Sequence, residues 1–180
     1  LRSRYDIPFV GMEPAIKPAA LNSKTGVVGV LATANTFKGS LYNNTLEKFA
    51  SGVKVIEKVG AGLVEFVESG TTSGEEVEAL LHKYVDEMRS QNADSIVLGC
   101  THYPFLEDTI RKITGDSIDI INPAPAVALQ TKRIVDSLQS KKVTKGICKF
   151  YSTGDTKIMR SIVSQIDPTI SYDSFQSVSI

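Results

Sequence analysis

Two cysteines in 180 residues are too few for a disulfide framework, and no metal-type spacing links Cys100 to Cys148. No apolar run approaches the length of a transmembrane helix, so no membrane partner is expected. Neither sign of charge is in excess: Lys+Arg and Asp+Glu number 20 each, and no basic cluster is interleaved with aromatics. That excludes a strongly electrostatic partner such as nucleic acid or an anionic membrane face. Neither a G-x-G-x-x-G nor a Walker-type loop is present, so no nucleotide cradle is indicated. Repeats and low-complexity tracts are absent as well. The chain opens Leu1-Arg2-Ser3-Arg4, with neither a signal-peptide pattern nor an initiator Met. The expectation is a cytosolic, reduced setting and a piece of a longer protein.

What remains is an ordinary globular composition, 42% hydrophobic and 22% charged, in a chain long enough to bury a core. Gly26-Val27-Val28-Gly29-Val30-Leu31-Ala32 is a continuous Val-rich run of the kind buried on both faces of a parallel sheet. A turn at Thr33–Thr36 leads into one expected helix through Phe37, Leu41, Leu46 and Phe49, then a strand over 53–59. The state of residues 63–70 is ambiguous from pattern alone. The clearest helix spans 74–90: Val77, Leu80, Leu81, Tyr84, Val85 and Met88 form a single apolar stripe, and Ser73 with Glu76 reads as a capping box. Further strands are expected at 95–98, 117–121 and 147–152, and short ones at 7–12 and within 169–180. Helices are expected from Pro104 to about 113, over 126–138, and after Thr153-Gly154-Asp155. A Lys-rich turn at Lys141-Lys142 would join the last two units. Strands alternating with helices define an α/β fold with a mostly parallel sheet flanked by helices.

In open α/β sheets a site lies beyond the carboxyl ends of the strands. Three loops qualify: Thr33–Thr36, Glu68–Thr72 and Gly99–Tyr103. Cys100 follows a strand and precedes a helix, where converging backbone N–H groups and the helix dipole favour a thiolate. The alternative is a small apolar residue filling a strand end. His102, two residues on, can reach the same pocket, or simply face water at a helix start. His82 lies beside the apolar stripe and reads as structural or solvated. Glu68 can orient an imidazole or hold an ammonium, or be a surface acid, with Glu65 as its competitor. Thr33 and Thr36 have hydroxyls suited to a carboxylate; Thr36 is also well placed as a helix N-cap. Cys148, inside an expected strand, reads as a buried structural residue.

Leu98-Gly99-Cys100-Thr101-His102-Tyr103-Pro104 resembles the second cysteine motif of bacterial glutamate racemases, in the Asp/Glu racemase superfamily. Val10-Gly11-Met12-Glu13-Pro14-Ala15 resembles the interdomain segment of that family, residues 29–36 its threonine loop, Val67-Glu68-Ser69-Gly70 its acidic loop, and Thr153-Gly154-Asp155 its returning C-terminal segment. The resemblance covers nearly the whole chain. It implies cofactor-independent, two-base racemisation with glutamate as small-molecule partner, no metal, and D-glutamate supplied for peptidoglycan. Cys100 would be one of two thiols, taking the α-proton from the L enantiomer. Thr101 and His102 would contact substrate, His102 would also assist the thiol, Glu68 would support His102, and Thr33 and Thr36 would help hold the substrate. A homodimer is a further expectation.

The departures are equally specific. The family's N-terminal Asp-Ser motif and first Cys-Asn-Thr motif have no counterpart here, and Cys148 does not match the latter. The implied division is a linker over 1–13, a complete second domain over 14–123, and a returning segment of the first domain over 124–180. On that reading the chain holds one catalytic cysteine and is inactive alone. Alternatives are an aspartate racemase or related isomerase, a thiol hydrolase using Cys100 and His102, and a non-catalytic α/β binding module.

Overall fold

A computed structural model describes residues 2–138, 148–170 and 174–179. In chain order it contains α1 (Ile16–Asn22), β1 (Val27–Ala32), α2 (Ala34–Lys38), α3 (Ser40–Phe49), β2 (Lys54–Val59), α4 (Leu63–Glu68), α5 (Glu75–Ser90), β3 (Ser95–Gly99), α6 (Glu107–Thr114), β4 (Asp119–Ile121), α7 (Ala124–Ser137), β5 (Phe150–Ser152), α8 (Thr156–Ile166) and β6 (Phe175–Ser177). Strands β1 to β4 form one parallel sheet in the order β2-β1-β3-β4, and β5 pairs with β6 in a second, two-stranded parallel sheet.

Alternation along the strands divides the core into two layers. Val28, Val30, Ala32 and Val97 face α1 and α3, where they meet Ile16, Ala19 and Tyr42. Leu31, Ile96 and Leu98 face the other way, onto Leu63 and Val67 of α4, Val77, Leu81, Val85 and Met88 of α5, and Leu106 and Ile110. Gly29 also points toward α5: a Cβ there would lie 2.5 Å from the Met88 sulfur, so the strand can approach that helix only without a side chain. Helices on both faces satisfy the apolar demand of strands buried on both sides.

The connections place a site. From β1 the chain crosses over one face to β2; from β2 it crosses the other face, passes β1, and enters the sheet as β3. The chain therefore leaves β1 and β3 in opposite directions, and a crevice opens between their carboxyl ends, in register at Ala32 and Gly99.

The local departures from expectation have physical causes. Residues 7–12 form no strand. The single helix expected after β1 is two, because Gly39 is extended (φ −71°, ψ 131°) between α2 and α3. Residues 63–68 are helical, with Leu63 and Val67, one turn apart, buried together; Glu68 thus ends a helix rather than following a strand. No capping box forms on α5. Gly74 is its N-cap at φ +105°, and Glu75, Glu76 and Glu78 instead answer the dipole of the first turn. The helix expected from Pro104 begins as a 3-10 turn over Tyr103–Leu106, and the α-helix starts only at Glu107, so its dipole is not delivered at Cys100. Thr33, not Thr36, caps α2, its hydroxyl accepting from the Thr36 amide at 3.4 Å. Cys148 is exposed and precedes β5, contrary to a buried position in a strand. His82 is a half-exposed partner of Asp86 on the outer face of α5. The Lys141-Lys142 turn lies outside the described residues.

Helices α7 and α8 bury none of their own side chains completely. Leu129, Val135, Leu138, Tyr151, Ile158 and Ile166 are exposed apolar residues of this C-terminal portion. No helix among the described residues is long and apolar enough to cross a membrane.

Candidate active site

Parallel pairing brings the ends of β1 and β3 side by side, and the loops that follow share hydrogen bonds. The Thr36 hydroxyl donates to the Gly99 carbonyl at 3.3 Å, and the Thr33 and Thr36 hydroxyls are 3.0 Å apart. Gly99 is required by this closeness, since a Cβ would stand 2.7 Å from the Ala32 Cβ and 3.3 Å from the Leu31 carbonyl oxygen. The next residue is Cys100, half-buried. A cavity of about 290 Å³ opens there, lined by Met12, Glu13, Thr33, Thr36, Cys100 and Thr101 among others.

Behind the thiol stands an imidazole and behind that a carboxylate. The Cys100 sulfur lies 3.8 Å from His102 Nδ1, and His102 Nε2 lies 3.2 Å from Glu68 Oε1. A neutral imidazole carries one N–H. With Nε2–H donating to Glu68, Nδ1 is left as the acceptor facing the thiol. The carboxylate comes from the end of α4 and the imidazole from the turn after β3, so the line depends on how α4 seats against that turn. The pair is partly open to water, with His102 27% and Glu68 38% exposed at the side chain. A contact so placed adds little to stability, and its consequence is orientation.

Tyr103, fully buried, completes the turn. Its amide donates to the Cys100 carbonyl at 3.2 Å and its hydroxyl to the Gly60 carbonyl at 3.0 Å. Burial raises its phenol well above the ordinary value, and the neighbouring Cys100 adds to the rise. The hydroxyl is therefore a donor at neutral pH.

The structure thus gathers the sequence candidates at one place: Cys100, Thr101, Thr33 and Thr36 around the cavity, with His102 and Glu68 in line behind the thiol. Glu65 is not part of that line. Sequence reasoning missed Glu13 and Met12 as cavity-lining residues. They lie in the irregular segment before α1, which has no periodicity to place it; the only signal was its position inside the Val10–Ala15 motif. Among the described residues no group of His, Cys, Asp and Glu has an arrangement able to hold a metal ion.

A family model described as Asp/Glu/Hydantoin racemase matches residues 1–131, and the chain belongs to that family. The curated glutamate racemase of Roseiflexus sp. (strain RS-1) is 42% identical over 171 residues, covering 93% of this chain and 63% of the relative. That of Ectopseudomonas mendocina (strain ymp) is 39% identical over 169 residues, covering 91% of this chain and 63% of the relative. The chain spans about 63% of the length of these curated relatives. The crystal structure of Escherichia coli glutamate racemase, in complex with L-glutamate and the activator UDP-MurNAc-ala, superposes with a TM-score of 0.78 at 23% identity, covering 99% of this chain and 67% of that one. At that identity the likeness establishes a shared α/β fold, as the sequence led us to expect.

Proposed function

We propose that this chain supplies one half of a glutamate racemase active site, with Cys100 as one of two thiols that exchange the α-proton without a cofactor. The observation that carries the reading is the line Cys100–His102–Glu68 at the switch point of a racemase-family sheet, in a chain about 40% identical to curated glutamate racemases. His102 accepts the thiol proton at Nδ1, leaving a thiolate that removes the α-proton of L-glutamate. Glu68 orients the ring and offsets the charge that forms on it. Abstraction leaves a carbanion-like species whose charge flows toward the substrate carboxylate, so donors fixed in advance are needed there. Thr33, Thr36 and Thr101 are the hydroxyls available at the cavity for that task. A second thiol returns a proton to the opposite face. Cys148 lies outside the cavity lining and is not recruited for it; the second thiol belongs to a Cys-Asn-Thr segment that this sequence does not contain. The D-glutamate produced would serve peptidoglycan synthesis in the cytoplasm.

The test is D-glutamate formation from L-glutamate by the 180-residue chain, wild type and Cys100→Ser. No turnover is expected from either. Robust turnover that Cys100→Ser abolishes would demand a second base within this sequence and contradict the two-thiol assignment. The matching family model spans aspartate, glutamate and hydantoin substrates, so substrate competition belongs in the same assay on a protein carrying both thiols. Faster turnover of aspartate than of glutamate would overturn the choice of substrate. Labelling of Cys100 by an acyl electrophile, followed by turnover of the acyl-enzyme, would point instead to a thiol hydrolase.

A further inference from the structure

We propose that Tyr103 is the positioning residue of the thiol site, its hydroxyl seating helix α4 against the Cys100–His102 turn and so setting the distance between Glu68 and His102. The proposal rests on the reading of Cys100 as a proton-moving thiol. Tyr103 is tied at both ends. Its amide donates to the Cys100 carbonyl, which closes the turn. Its hydroxyl donates to the Gly60 carbonyl at 3.0 Å and lies 3.5 Å from the Ala32 carbonyl. Gly60 O also accepts from the Leu63 amide at the start of α4, and Ala32 O accepts from the Gly60 amide. One buried hydroxyl therefore meets the point where β1 and β2 part, one residue before Thr33, and the point where α4 begins. Helix α4 then runs one and a half turns to Glu68, which meets His102 (six residues, Leu63–Glu68). The turn and the helix are fastened at two points: Tyr103 to Gly60 at one end, His102 to Glu68 at the other.

Gly60 shows that the seat is built for this hydroxyl. A Cβ on it would lie 2.5 Å from the Tyr103 oxygen, 2.9 Å from Cζ and 2.8 Å from Leu63 Cδ1. Glycine is needed here for close approach, not for an unusual backbone angle, since its φ is not among the positive ones. Both carbonyls that face the hydroxyl keep a backbone donor if it is removed. Its loss orphans no buried acceptor, so its main effect falls on geometry rather than on folding.

The experiment measures the reactivity of Cys100 with iodoacetamide as a function of pH, in the 180-residue chain carrying Cys148→Ser so that a single thiol reports. The titratable groups facing the thiol and Tyr103 are His102 and, behind it, Glu68, Glu13 across the cavity, and Glu65 of α4 and Tyr84 of α5, which act on Tyr103 together with Cys100. Tyr103→Phe keeps the ring and removes the hydroxyl. We expect it to change the alkylation rate at neutral pH at least threefold and to displace the pH profile. Glu68→Gln should displace the profile when Tyr103 is present and have little further effect in Tyr103→Phe, because the line it acts through is already broken. Gly60→Ala, which crowds the hydroxyl out of its seat, should reproduce the Tyr103→Phe profile. A wild-type profile in folded Tyr103→Phe, or an undiminished Glu68→Gln effect in it, would overturn the proposal. Loss of folding in both Tyr103→Phe and Gly60→Ala would assign Tyr103 to core stability instead and overturn it as well. The readout is thiol chemistry and not racemisation, so failure of the glutamate assignment leaves this result standing, and the reverse.

Discussion

At Cys100 the local chemistry is set by what stands behind the sulfur more than by the helix ahead of it. The first α-helical turn begins at Glu107, while His102 Nδ1 is 3.8 Å from the thiol. Proton transfer through a positioned side chain typically contributes 10²–10⁴-fold. In a protein carrying both thiols, His102→Asn should therefore lower kcat by about 10²-fold or more, and Glu68→Gln by a smaller factor of about ten. Both should leave thermal stability within roughly 1 kcal/mol of wild type, because the pair is partly exposed. Steady-state kinetics alongside thermal melts check both; a fall in stability that tracks the fall in kcat would assign the pair to folding. Gly99→Ala makes the opposite prediction. Its Cβ would stand 2.7 Å from the Ala32 Cβ in a well-packed strand pair, so it should cost about 1–3 kcal/mol in denaturant melts. These residues were legible in the sequence because reactive side chains clustered at the end of an apolar run. Glu13 was not, because its segment is irregular, and a residue in such a segment is placed only by the fold.

Among the elements, one carboxylate at the far end of the sheet ties the turn before β1 to the start of β3. Asp94, just before β3, accepts from the amides of Lys24 and Thr25 at 2.5 and 2.8 Å and from the Ser23 hydroxyl at 3.0 Å. Partial burial alone would raise its pKa, but these hydrogen bonds outweigh that and hold it below the ordinary carboxylate value. A group whose folded-state pKa is depressed stabilises the fold fully above its unfolded value, about 3.9, and loses that contribution as pH falls through the folded value. Asp94→Asn should thus cost roughly 1–3 kcal/mol near pH 7, and the gap to wild type should close as the pH drops below about 3.9. Denaturant melts at pH 7 and pH 3 test this; a gap that stays constant would remove Asp94's charge from the account. Continuous apolar runs made β1 and β3 readable in advance, and a single helical stripe did so for α5. Residues 63–68 were not, because a short apolar run fits a strand or a helix equally, and burial of Leu63 with Val67 suits both; the backbone bonds from Phe66 N–H to Gly62 O and from Ser69 N–H to Glu65 O make it a helix. The split between α2 and α3 turns on one extended glycine, Gly39, which pattern alone does not distinguish from a tolerated helical glycine.

For the molecule as a whole, the parallel sheet and its two helical layers enclose a buried core, while α7 and α8 bury none of their own side chains completely. Leu129 and Val135 of α7, Leu138 just after it, and Ile158 and Ile166 of α8 are exposed. Exposed apolar surface of this kind drives association. Sedimentation velocity of the 180-residue chain should show concentration-dependent self-association; a compact monomer at high concentration would contradict it. The fold class was readable from alternation of elements alone, and the switch point between β1 and β3 followed from strand order, which no single segment encodes. The central claim, that Cys100 is one of two proton-moving thiols, is tested most directly by D-glutamate formation from L-glutamate. The protein to use is this sequence joined to an N-terminal segment bearing the Cys-Asn-Thr motif, with and without Cys100→Ser. The account predicts turnover that Cys100→Ser lowers by about 10³-fold or more. Turnover that survives the substitution unchanged would contradict it.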